Sequence, residues 1–191
     1  VRRQPASVYH ITSTNNLSCL GEGLRPDPNR GEERWRELEY RIDAECPDYL
    51  RSQGVTRANS VFAYPNVEIP HDIYRTRTSK LAQTGLKLAT IELRVDPTTA
   101  YVLDAVHIDM GSMDEDDSWY YWSSAITLEQ FLAEFSVGTN WSSRRSERLV
   151  HSNLHAPDNY RLPEVVIPHG VAPERMMLES ISEYDVSTGR W

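Results

Sequence analysis

The chain has 191 residues, 39% of them apolar and 25% charged, enough for one domain with a buried core, and residues 1–191 are read as that single domain. Its formal charge of −8 argues against a protein that coats duplex DNA by neutralising phosphates. No run approaches the roughly 18 apolar residues of a membrane-spanning helix, and the opening Val1-Arg2-Arg3-Gln4 lacks the apolar stretch of a signal peptide.

In chain order, Val8 to Thr12 is rich in β-formers and runs into a helix signal, with Thr14 or Asn15 as cap, Leu17 and Leu20 one turn apart, and Gly23 as stop. Residues 31–46 place Trp35, Leu38 and Ile42 on one helical stripe that Pro47 ends. Ser60 to Tyr64 reads as a strand halted by Pro65. Leu88 to Val95 alternates, which predicts a buried face of Ala89, Ile91, Leu93 and Val95. A turn at Asp96-Pro97 leads to a partner strand over Ala100 to Leu103. The acidic run Asp114-Glu115-Asp116-Asp117 lacks calcium-loop spacing and reads as a solvated loop.

The strongest helix signal begins at Thr127, which forms a capping box with Gln130, while Ile126 and Phe131 have the spacing of a hydrophobic staple. Leu128, Phe131, Leu132 and Phe135 would line its buried face. Strands return over 164–167 and about 175–184. Short strands scattered among helices, without strict alternation, predict an α+β fold. No glycine-rich dinucleotide or phosphate loop is present, so any nucleotide site must be built differently.

Two of these strands carry a polar residue that a buried strand does not need. His10 stands in Val8-Tyr9-His10-Ile11-Thr12, and Glu164 stands in Leu162-Pro163-Glu164-Val165-Val166-Ile167-Pro168. A carboxylate flanked by buried apolar residues is costly unless it is paired or used. A His and a Glu on separate strands, with aromatics between them, suit cleavage of a nicotinamide–ribose bond. The departing nicotinamide leaves an oxocarbenium-like ribose for a carboxylate to stabilise.

Tyr9-His10-Ile11-Thr12, Asn16-Leu17 and Glu22-Gly23-Leu24 together resemble the opening motif of the ADP-ribosyltransferases, most closely the DNA-modifying toxins of the DarT branch. Ser60-Val61-Phe62-Ala63-Tyr64 resembles the second motif. Pro163 to Pro168, followed by Gly170 to Met176, resembles the third, so the three stand in order over nearly the whole chain. The resemblance implies an ADP-ribosyltransferase-like split, twisted β-sheet flanked by helices. It implies a mono-ADP-ribosyltransferase of the His-Tyr-Glu type, with NAD+ as co-substrate. Glu164 would be catalytic, and His10 with Thr12 would hold the adenosine-side ribose. Tyr74, with Tyr64 as competitor, would stack on the nicotinamide. The family's NAD-contacting loop and helix fall on 25–46, where Arg30, Arg34 and Arg41 are the candidates for the pyrophosphate. Trp141, Arg144, Arg145 and Arg148 occupy the target-binding loop, a composition suited to stacking a base and holding phosphates.

Arginine-modifying members usually carry a second Glu two residues before the catalytic one. Leu162 stands there, so the expected acceptor is a nucleotide base, as in single-stranded nucleic acid, a protein side chain other than arginine, or a small molecule. A neutralising antitoxin or hydrolase is the further partner that the resemblance suggests. The alternatives are an NAD-dependent RNA 2′-phosphotransferase and a catalytically inactive NAD-binding module of the same fold. Cys19 and Cys46 suit neither a disulfide framework nor a metal site, and His151 and His155, four apart, lack a third ligand, so no metal is expected. The expected compartment is the cytoplasm, with export as an effector the other destination.

Overall fold

The computed structural model of the chain describes residues 4–29, 33–65, 87–109, 115–134 and 162–183. It is an α+β structure built on two antiparallel sheets. Strands β1 (Ala6–Ser13), β3 (Leu88–Val95) and β7 (Met176–Ser182) form one, in the order β1-β3-β7. Strands β2 (Ser60–Ala63), β6 (Pro163–Pro168), β4 (Tyr101–Asp104) and β5 (Ile126–Thr127) form the other, in the order β2-β6-β4-β5. Among the described residues the edges of the sheets meet at Tyr9 and Tyr64, which exchange both backbone hydrogen bonds, each 2.8 Å.

Period-two alternation decides what each strand faces. Val8, Ile91, Leu93 and Val95 from the first sheet meet Val61, Ala63, Val102, Val165 and Ile167 from the second in one apolar core. The opposite face of the second sheet, with Tyr101, Leu103 and Val166, packs a second core against helices. These are α2 (Glu33–Ala44), α3 (Asp48–Arg51), α4 (Val106–Asp109) and α5 (Glu115–Ser123). The four-stranded sheet is therefore buried on both sides, which is why β6 reads as a continuous apolar run instead of an alternating one. The predicted buried face of β3 is present in full, since Ala89, Ile91, Leu93 and Val95 are all buried.

Several expectations are corrected. The first turn after β1 is a 3-10 turn, Thr14–Asn16, capped by the Ser13 hydroxyl, which accepts from the Asn15 N–H at 3.2 Å. The cap is thus Ser13, not Thr14 or Asn15, and only α1 (Cys19–Glu22) follows before Gly23 ends it at φ +83°. On α2, Ile42 is buried and Leu38 half-buried, but Trp35 is 53% exposed, so the predicted stripe packs only towards its C-terminal end. Residues 115–117 of the acidic run begin α5 instead of lying in a loop.

Helix α6 (Leu128–Glu134) has the capping box the sequence predicts. Gln130 N–H donates to the Thr127 hydroxyl at 3.2 Å, and Thr127 N–H donates to Gln130 Oε1 at 3.1 Å. Leu128 and Phe131 are buried, but Leu132 is 43% exposed and leaves the predicted face; Phe135 lies outside the described residues. Both cysteines are free thiols, and Cys46 is buried with its Sγ donating to the Val55 carbonyl at 3.2 Å. Among the described residues no helix is long and apolar enough to cross a membrane.

Candidate active site

The seam between the sheets positions His10. Beside the Tyr9–Tyr64 bridge, the side chain of His10 reaches from β1 to the backbone of β2, with Nδ1 2.7 Å from the Phe62 carbonyl oxygen. A carbonyl only accepts, so Nδ1 carries the proton, and in the neutral ring Nε2 is then the acceptor nitrogen. The imidazole is held to one tautomer and one orientation by the fold itself. Thr12, one residue pair further along β1, takes a hydrogen bond from Asn16 Nδ2 at 2.8 Å, which ties it to the turn that follows.

Glu164 enters from the other side of β2. Strand β6 pairs with β2 through Ala63–Val165 and Phe62–Val166, and Glu164 shares the face of Val166, towards the helices. There its side chain is 4% exposed and meets Arg57. Arg57 Nη1 donates to Glu164 Oε2 at 2.6 Å and to the Tyr121 hydroxyl oxygen at 2.7 Å, while Tyr121 donates its own proton to Oε2 at 3.2 Å. Glu39 Oε1 on α2 stands 3.6 Å from Arg57 Nη2. The guanidinium lies 4.3 Å above the centre of the Phe62 ring, a cation–π contact in a desolvated setting.

Arg57 is itself fixed from below. It sits in the loop between α3 and β2, where its backbone N–H and that of Ala58 donate to the Asp43 carboxylate at 2.7 and 2.9 Å. Burial pushes the Asp43 carboxyl up, against those two hydrogen bonds, which hold it down. For Arg57, burial alone would weaken its hold on its proton; the Glu164 carboxylate, with the Tyr121 hydroxyl oxygen and the Glu39 charge beside it, outweighs that and strengthens it. Burial likewise pushes the Tyr121 phenol well above its usual range, so it stays a neutral donor. The result is a buried ionic cluster whose carboxylate takes both of these hydrogen bonds on Oε2. The premise that neither strand needs its polar residue is corrected: His10 bonds the Phe62 carbonyl, and Glu164 neutralises a buried guanidinium.

Phe62 is the common neighbour, its carbonyl held by His10 and its ring covered by the guanidinium that grips Glu164. Tyr64 completes the seam, half-buried at the margin of the second core. Of the pyrophosphate candidates, Arg41 is an exposed residue of the last turn of α2 and Arg34 is placed only by its backbone on the same helix. Arg30, Tyr74, Trp141, Arg144, Arg145 and Arg148 lie outside the described residues, as do His151 and His155. Among the described residues no cluster of His, Cys, Asp and Glu is placed to hold a metal ion.

Sequence reasoning missed Arg57, Tyr121, Glu39 and Asp43. The signal for a partner was the buried position of Glu164 itself, since such a carboxylate demands a cation. Nothing in the residues around Arg57 distinguishes it from any other loop arginine. Tyr121 and Trp122 are fully packed, and Trp122 Nε1 donates to the Ile42 carbonyl at 2.6 Å. Comparison of the chain with protein-family models and with curated proteins finds no match.

Proposed function

We propose that this protein is a mono-ADP-ribosyltransferase with an ADP-ribosyltransferase-like split sheet, which transfers ADP-ribose from NAD+ to an acceptor other than arginine. The observation that carries the reading is the convergence on Phe62 of His10 from β1 and the Arg57–Glu164 pair from the β6 side. That juxtaposition agrees with the motif order, and the placing of β1 and β2 in separate sheets that meet at Tyr9 and Tyr64 agrees with a split sheet.

The reaction breaks the C1′–N bond to nicotinamide, which leaves with the bonding pair, and joins C1′ to an acceptor atom that gives up a proton. A positive charge grows on the ribose meanwhile, and a preorganised anion in a dry site is the effective stabiliser. In this reading Glu164 is that anion, and because both of its described hydrogen bonds fall on Oε2, Oε1 is the oxygen assigned to the ribose. Arg57 and Tyr121 are positioning residues that fix the carboxylate. Arg57 does not cancel the field, because Glu39 beside it returns the three charged groups to a net charge of −1. His10 and Thr12 are assigned to the adenosine-side ribose and Tyr64 or Tyr74 to the nicotinamide. Arg30, Arg34 and Arg41 are assigned to the pyrophosphate, and Trp141, Arg144, Arg145 and Arg148 to the acceptor. Leu162, two residues before Glu164, is packed in the core, which leaves no second carboxylate to orient an arginine acceptor.

The test is release of nicotinamide from NAD+ by the purified chain, followed by label transfer to single-stranded DNA, tRNA and protein offered separately. Release with transfer to one of them supports the reading. Calorimetric binding of NAD+ without release points to an inactive module of the same fold, and no response to NAD+ overturns the proposal.

A further inference from the structure

A cavity of about 450 Å³ opens between the segment after α1, the end of β3 and the turn that follows β6, and neither His10 nor Glu164 lines it. Three arginines from three separate segments do line it: Arg25, Arg94 and Arg175. In a chain of net charge −8 such a convergence needs a reason, because guanidiniums gathered at one cleft repel one another unless an anion lies between them. Packing does not supply one, since Arg25 and Arg175 are both exposed and neither lies in a core. Arg94 is steadied by Glu92, which accepts from its Nε at 2.9 Å, so one edge of that guanidinium is fixed while its side chain stays 57% exposed. Of the two acids in the lining, Asp96 turns Oδ1 inward to the N–H and hydroxyl of Thr98, at 2.9 and 2.8 Å. Glu22 is the other.

The walls are set close by backbone. Leu24 and Val171 exchange hydrogen bonds of 2.8 and 2.7 Å, and a Cβ on Gly170, at φ +87°, would come within 2.2 Å of the Leu24 carbonyl. His169 beside it holds φ +64°, a left-handed conformation that a residue other than glycine adopts at a cost and that collects at ligand-binding turns. The volume is at the small end of the ligand-pocket range, and a planar fork of donors is the group that matches phosphate oxygens.

We propose that this cavity is a binding site for a phosphate-bearing ligand, gripped by Arg25, Arg94 and Arg175. The assignment does not depend on NAD+ chemistry. The same phosphate can belong to a small free compound or to the backbone of a nucleic-acid strand, and two probes separate them. Inorganic pyrophosphate and a short single-stranded oligonucleotide are titrated into the whole chain at low salt, by calorimetry or by chemical-shift mapping.

Saturable binding of pyrophosphate assigns the site to a free phosphorylated ligand, and binding of the oligonucleotide alone assigns it to a strand. In either case R25Q/R175Q weakens binding by about tenfold or more, because two of three charge-assisted donors are gone. R25K/R175K, which keeps the charge but loses the fork, recovers part of that loss. Absence of binding by both probes, or equal binding by R25Q/R175Q with its thermal midpoint unchanged, overturns the proposal.

Discussion

Replacing Glu164 alone cannot separate chemistry from folding, and the geometry shows how to separate them. Glu164→Leu leaves a buried guanidinium whose remaining counter-charge is Glu39 at 3.6 Å. Breaking a buried pair from one side costs about 3–5 kcal/mol, and that partial compensation puts this variant near the lower end. Arg57→Met takes the cation from Glu164 and from beside Glu39, which puts it near the upper end. The two single costs add to about 8 kcal/mol, whereas the double variant Arg57→Met/Glu164→Leu removes the pair together and should lose about half of that sum or less. Urea unfolding of the four proteins reads the coupling through the midpoint at constant slope. Because a domain is stable by only about 5–15 kcal/mol, the single variants should be handled at low temperature to stay folded, whereas the double variant should not need it. It is therefore the protein in which to measure nicotinamide release, since it keeps the fold and has neither proposed group. Single costs below about 1 kcal/mol, or additivity within about 0.5 kcal/mol, would refute the buried-cluster reasoning. Release undiminished in the folded double variant would remove Glu164 from the mechanism.

Three further outcomes follow from local geometry. Ser7 donates to Glu92 Oε1 at 2.5 Å, and this bond leads the effects that hold the Glu92 carboxyl below its usual range, against burial and with help from Arg94. A depressed carboxylate stabilises above its unfolded pKa and loses that contribution as pH falls through the folded value. Ser7→Ala should therefore cost about 1–2 kcal/mol at neutral pH and progressively less as the pH falls below the usual carboxylate range, and a loss that does not change with pH would contradict it. Burial pushes the Cys46 thiol up to about 12, so thiol reagents at neutral pH should label Cys19 in the native protein and Cys46 only in urea. Thr127→Ala removes one arm of the α6 capping box and should lower stability by about 1 kcal/mol, read as a shift in urea midpoint.

What the sequence made legible was what pattern encodes. The strands at Leu88–Val95 and Pro163–Pro168 and the cap at Thr127 are written in local alternation and spacing, and they stand where those signals put them. Helices α3 and α4 are single turns, four residues each, too short for a 3.6-residue period to be seen. Helix α5 was hidden by its own acidic start, because charges read as solvent exposure until Tyr121 and Trp122 bury its far side. Trp35 and Leu132 were misread for a common reason. A period says which residues share a face but not how far the neighbouring element extends to cover it.

The cluster around Glu164 was the least legible part, because it is assembled from a loop, two helices and a strand whose contacts are all long-range. Its outermost member gives a test that the core does not confound. The Glu39 side chain is 15% exposed and stands 3.6 Å from Arg57, and Glu39→Gln keeps its shape while removing its charge. Under the proposed function that charge keeps the cluster at net −1 while cationic charge develops on the ribose. Glu39→Gln should then leave the urea midpoint nearly unchanged but lower kcat for nicotinamide release by about tenfold, the effect of roughly 1.4 kcal/mol on the barrier. KM for NAD+ should move little, since the charge matters only as the bond breaks. A variant that unfolds as easily as it loses activity, or one that changes KM alone, would show that Glu39 supports the loop and does not tune the field.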